Sequence, residues 1–248
     1  MAKNTESNVY TVLFATGMVV IVGALLAFLA ASLKDKITEN KRIEKQQNIL
    51  YAMGVNENDE TSVVFVSKEV VGSEFTKYIT KQIVITGTET VEDNNAYLID
   101  IKKEEAAAKN KDYQRRLPLF MGTKDNIQYY IIPVRGKGLW DAIWGYVAID
   151  NQLVVQGVYF DHAAETPGLG SNIKERFFMD DFKGEHFLDG DLFKGISVSK
   201  GNSDPKNLDK TDFEVDAIAG STITGDGLAA MLKKDLQLYL PYLKTLKQ

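Results

Sequence analysis

Three hydroxyls fall within four residues in the stretch Asp216-Ala217-Ile218-Ala219-Gly220-Ser221-Thr222-Ile223-Thr224-Gly225-Asp226-Gly227. Its glycines, Gly220, Gly225 and Gly227, allow backbone shapes closed to other residues and let a ligand approach the main chain. An apolar-periodic segment, Leu228 to Leu240, follows at once. A helix beginning near Asp226 would turn free N–H groups and a partial positive charge back toward this loop. A threonine hydroxyl just ahead of such a terminus is placed to carry or contact a phosphate. The same residues also suit a plain helix cap at Thr224 or Asp226, with serine and threonine filling a turn. Two further segments have chemistry-bearing types at close spacing. Gly136-Lys137-Gly138-Leu139-Trp140-Asp141 combines close backbone approach with a flat aromatic face, or is a hairpin turn with a core tryptophan. In His162-Ala163-Ala164-Glu165-Thr166-Pro167-Gly168-Leu169-Gly170, Pro167 biases Thr166 toward extended backbone and two glycines flank a leucine. By itself that segment reads as a structural loop. The glycine fingerprints of Rossmann and P-loop nucleotide sites are both absent.

Composition narrows the chemistry further. The chain has 248 residues, room for one large domain or two small ones, and its 44% hydrophobic content is ample for a packed core. A net charge of −5 argues against a nucleic-acid partner, which requires a basic footprint. The absence of cysteine excludes disulfides, iron–sulfur clusters and cysteine catalysis. His162 and His186 lie in separate segments without a metal-binding pattern around them, so no metal site is expected.

The elements that must position these loops begin with Val12 to Ala31, which carries no charge and whose most polar residue is Thr16. As a helix it would span roughly 30 Å, the thickness of a hydrocarbon core. The sequence therefore divides into an N-terminal arm at 1–11, a single transmembrane helix at 12–31, a polar juxtamembrane stalk at 32–56 and a domain at 57–248. The stalk, rich in Lys, Glu, Gln and Asn, reads as a solvated helix. Lys34, Lys36, Lys41, Arg42 and Lys45 after the anchor outnumber Lys3 before it, a count that by the positive-inside rule holds the domain in the cytoplasm. Strands are expected at Val63–Val66, Gln82–Ile85, Ile127–Val134, Gly145–Ile149 and Leu153–Tyr159, with a tight turn at Asp150-Asn151. Lys102 to Arg116 is a helix or a surface segment, Ser171 can cap a helix running to Phe178, and Ile196–Val198 is a short strand. Adjacent strand pairs with few helices predict an α+β domain.

The segments GKGLW, HxxETPGLG and DxxxGxT, in this order behind a membrane anchor, resemble the covalent FMN-binding family of respiratory complexes. Its nearest branch is the C subunit of Na⁺-translocating NADH:quinone oxidoreductase, and the G subunit of Rnf complexes is a relative. The resemblance implies FMN joined by a phosphoester to the last threonine of a DxxSGAT motif, here Thr222, with Thr224 as a second candidate. Ala219 stands where the motif has Ser or Thr and Ser221 where it has Ala, while Asp216, Gly220 and Thr222 match. The resemblance further implies cofactor contacts from Trp140 and Leu169 as ring walls, from Glu165, Thr166 and Gly168, from Gly220 and Ser221 at the attachment turn, and from Lys200 near phosphate or ring oxygens. It implies a one-electron carrier without a complete active site of its own, partnered by the other subunits and matured by a Mg²⁺-dependent flavin transferase. It places the flavin domain on the periplasmic side of the bacterial inner membrane, against the charge count. Two alternatives stay open: the flavin subunit of an Rnf-type ferredoxin complex, and a membrane-anchored binding or assembly module without cofactor.

Overall fold

The computed structural model describes residues 7–59, 61–201, 204 and 207–246. Residues 1–6 of the arm and 247–248 of the domain lie outside the described residues. The chain forms two compact units, 1–42 and 43–248. The first is the greater part of α1 (Asn8–Ala52), the one described helix long and apolar enough to cross a membrane. The mean hydropathy of its apolar window is 2.7, and that window is unburied.

The second unit opens with the last turns of α1. These turns correct the solvated stalk expected through residue 56, since Gln46 and every residue from Asn48 to Met53 are buried. Tyr51 packs edge-on to Tyr159 with ring centroids 5.7 Å apart, and a Cβ at Gly157 would lie 2.5 Å from the Ala52 carbonyl oxygen. Helix α2 (Val71–Tyr78) leads into β1 (Ile79–Thr86) and β2 (Glu89–Glu92), and α3 (Ile101–Ala107) into β3 (Arg116–Lys124), β4 (Ile127–Lys137), β5 (Ala142–Ile149) and β6 (Val155–His162). These six strands form one antiparallel sheet in the order β2-β1-β3-β4-β5-β6. The expected strand at Val63–Val66 does not form. Local partners serve it instead: Asn58 accepts the Val64 N–H, the Val64 carbonyl accepts the Glu57 N–H at 2.9 Å, and Gln47 donates to the Val66 carbonyl.

After β6 the chain is irregular. The helix expected from Ser171 is a 3₁₀ turn at Gly170–Lys174 followed by the short α4 (Arg176–Met179), and Ser171 caps neither. Two small pairs follow: β7 (Leu188–Asp189) with β8 (Leu192–Phe193), and, in parallel, β9 (Ser197–Val198) with β10 (Glu214–Val215). The closing helix α5 (Thr222–Leu243) packs on β4. Leu228, Met231, Leu232, Leu236, Tyr239 and Leu243, spaced three and four apart, are its buried apolar stripe. The Tyr239 hydroxyl donates to the Pro118 carbonyl at 2.9 Å. An α+β domain behind one apolar helix is thus the architecture.

Candidate functional site

Hairpin β4–β5, the loop after β6 and the start of α5 meet in one cleft of about 260 Å³. Helix α5 begins at Thr222, four residues before the expected start, so the hydroxyl-rich loop is the first turn of the helix itself. The early start has a packing cause. Gly227 sits inside the helix where a Cβ would lie 2.3 Å from the Lys137 carbonyl oxygen, so it brings the helix against the hairpin. Gly220, at φ +71, makes the left-handed turn into the helix, and the Ser221 N–H donates to the Ile218 carbonyl at 3.0 Å.

Glu165 ties the three segments together. Its buried carboxylate accepts the Trp140 N–H at 2.9 Å on one oxygen and the Thr224 hydroxyl at 2.6 Å on the other. Burial by itself would raise this carboxyl. The Thr224 hydroxyl and the main-chain N–H groups of Trp140, Asp141 and Leu139 outweigh burial and hold it below the usual carboxylate range. The ring N–H of exposed Trp140 donates to the Thr166 hydroxyl at 3.1 Å, and the Glu165 N–H donates to Nδ1 of His162 at 3.1 Å. Room for the Glu165–Thr224 bond comes from Gly170, where a Cβ would stand 2.5 Å from the carboxylate and 2.6 Å from the hydroxyl oxygen.

Of the residues picked out in the sequence, Glu165, Thr166, Leu169, Gly220, Ser221, Thr222 and Thr224 line the cleft. Trp140 and Gly168 lie outside its lining, the first joined to it through Thr166. Lys200 is exposed and lies outside it too. Leu139, Gly170 and Ile223 line the cleft without having been picked out. Leu139 and Gly170 sit within the two loop motifs, and Ile223 lies between the two threonines.

The three hydroxyls differ in what surrounds them. Thr224 is 1% exposed and bonded to Glu165. Ser221 is buried without a hydrogen-bond partner. Thr222 is exposed, on the first turn of a 22-residue helix. Leu139, Leu169 and Ile223 present exposed apolar side chains around it. This arrangement suits a ligand with a phosphate at one end and a planar apolar body, part of it outside the cleft.

Fold and cleft agree with an FMN-binding domain, whose profile matches residues 138–237, from Gly138 in the hairpin through the loop after β6 and into α5. The crystal structure of the C subunit of the Na⁺-translocating NADH-quinone reductase from Parabacteroides distasonis superposes with a TM-score of 0.71 at 30% identity, covering 85% of this chain and 96% of that one. The corresponding C subunit of Vibrio alginolyticus is 26% identical over 92% of this chain and 90% of its own length. That of Pseudomonas aeruginosa is 28% identical over 92% and 91%. The chain belongs to the family of C subunits of Na⁺-translocating NADH-quinone reductases, and is one component of an oxidoreductase complex.

Proposed function

We propose that this chain is a one-electron carrier of a membrane Na⁺-translocating NADH:quinone oxidoreductase, holding FMN by a phosphoester to the side-chain oxygen of Thr222. The observation that carries the reading is the contrast among the hydroxyls of the first turn of α5. Only Thr222 combines exposure with a place on the cleft, whereas Ser221 is buried and Thr224 is bonded to Glu165. A separate Mg²⁺-dependent flavin transferase needs an acceptor hydroxyl that it can reach, and no histidine lies near Thr222 in sequence to act as an internal base.

Residues of the cleft divide the remaining work. The N–H groups of the first turn and the helix dipole stabilise a phosphodiester anion by about 0.3–1 kcal/mol. Leu169 and Trp140 offer apolar surfaces to the ring, with Thr166 and Gly168 as polar and main-chain neighbours, and Lys200, exposed and outside the cleft lining, is the more distant cationic candidate. Glu165, both oxygens occupied, sets the spacing of the loops rather than touching the ring. Bound FMN supplies reversible single-electron transfer, which none of these side chains provides. The donor and acceptor groups belong to the other subunits, and the domain lies on the periplasmic side of the bacterial inner membrane.

Thr222→Ala tests the assignment. The purified wild-type chain should show a mass increment of one FMN and in-gel flavin fluorescence after denaturation. The variant should show neither, while Thr224→Ser keeps both. Fluorescence retained by Thr222→Ala would move the attachment elsewhere, and a colourless wild-type chain would return the protein to a cofactor-free module.

A further inference from the structure

Ser221 occupies the N-cap of α5, yet it caps nothing. Serine at this position ordinarily accepts an N–H from the second or third helical residue. Here the backbone sits at φ −121, ψ 28, outside the extended region usual for a cap, and the side chain makes no capping bond. The residue is 6% exposed and lines the cleft, and its hydroxyl oxygen is buried without a partner. A buried hydroxyl left unpaired is disfavoured, and such groups call for a cause. The first bond of the helix runs from the Gly225 N–H to the Ser221 carbonyl at 2.9 Å. The N–H groups of Thr222, Ile223 and Thr224 therefore have no acceptor within the helix.

We propose that Ser221 keeps its hydroxyl from the helix in order to donate it to the phosphate carried on Thr222. The inference rests on the attachment assigned to Thr222 and adds the group that orients the phosphate. Three main-chain N–H groups and one hydroxyl are then available to a phosphate at the positive end of the helix. Glu165 is the ionisable side chain among the residues that line the cleft. Both its oxygens are already hydrogen-bonded, so it does not compete for the Ser221 hydroxyl. The turn supports the same direction: Gly220 at φ +71 lets the chain double back beneath Leu169, whose Cδ2 would lie 2.9 Å from a Cβ at that position. Relative to the motif that this loop resembles, a hydroxyl has moved from position 219 to position 221, next to the attachment residue. Ser221 is thus a positioning residue particular to this version of the loop.

The test compares Ser221→Ala in two backgrounds of the full-length protein in detergent: the flavinylated chain and the flavin-free Thr222→Ala chain. In the flavinylated chain, losing one net hydrogen bond should lower Tm by about 2–4 °C, and the phosphodiester ³¹P resonance should shift. In the flavin-free chain the same change removes an unpaired buried hydroxyl, so Tm should hold or rise. An equal fall in both backgrounds would make Ser221 an ordinary structural residue and overturn the proposal. So would an unchanged ³¹P resonance in the flavinylated variant. A wild-type chain without an FMN mass increment overturns the attachment itself, and that is read before either comparison.

Discussion

Identical chemical groups in this chain are separated by their surroundings, and carboxylates show this as clearly as hydroxyls. Glu165 is buried but supplied with donors, so it stays below the ordinary carboxylate range. Glu185 is fully buried with less support. Asn207 donates to one oxygen at 2.7 Å, Lys210 stands 3.5 Å away, and the other oxygen has no partner. Burial, with a smaller contribution from the Asp212 charge, pushes this carboxyl up to about 7 despite Asn207 and Lys210. Burial also raises Asp181, whose carbonyl accepts from Asn207 and Lys210, to about 6, with Lys210 opposing and Asp216, Asp180 and Asp204 reinforcing. Each native carboxyl holds its proton more tightly than its unfolded counterpart. As pH rises from 4.5 toward about 7 the unfolded chain releases the Glu185 proton first, so stability falls across that window and levels off above it. Near pH 4 both states hold most of the Glu185 proton, so little of its contribution is lost there. Glu185→Gln should match the parent in urea unfolding near pH 4 and exceed it at pH 8, leaving only the shallower fall due to Asp181. A parent whose stability rises between pH 5 and 7, or a variant with the parent's slope, would contradict this assignment.

At the level of elements, the seat of α5 on hairpin β4–β5 fixes the cleft, and Gly227 is its closest point. Alanine there would gain about 1 kcal/mol of helix propensity. Its Cβ, however, would lie 2.3 Å from a main-chain oxygen of Lys137, an atom that cannot swing aside. Gly227→Ala should therefore destabilise by about 1–3 kcal/mol in equilibrium unfolding and displace the first turn of α5 from the cleft. An unchanged or raised stability would show that the hairpin yields. The same glycines explain why the helix start was misplaced from sequence. Gly225 and Gly227 lower local propensity, so periodicity becomes visible only from Leu228, whereas the helix is held from Thr222 by packing. Strands β1, β4, β5 and β6 were legible because their β-branched runs alternate with clear turn residues. Val63–Val66 has the same composition, yet Asn58, Gln47 and the Glu57 main chain bond to its backbone in place of a partner strand. The buried end of α1 was hidden because polar Gln46 and Asn48 are buried beside Ile49 and Leu50, which erases the apolar stripe. The three site loops stood out because each motif is short and continuous. The Glu165 tie did not, since it joins residues 59 positions apart through one carboxylate.

At the scale of the whole chain, the flanking charge opposes the periplasmic placement proposed for the domain. Helix α1 has an apolar stretch sufficient to cross a bilayer, and five cationic residues follow that stretch between Lys34 and Lys45. Counted alone, those cations would hold the second unit in the cytoplasm. The rule weakens for large domains, which translocate largely regardless of flanking charge, and 43–248 is such a domain. The chain has no cysteine, so a single introduced thiol reports its own side of the membrane without background. Lys111→Cys lies in an exposed turn of the second unit, and Asn8→Cys is exposed at the start of α1. With a membrane-impermeant maleimide on intact spheroplasts, Lys111→Cys should label at once and Asn8→Cys only after lysis. The reverse pattern would place the flavin domain in the cytoplasm, as the charges alone dictate. Labelling of both before lysis would mean that α1 does not cross the membrane.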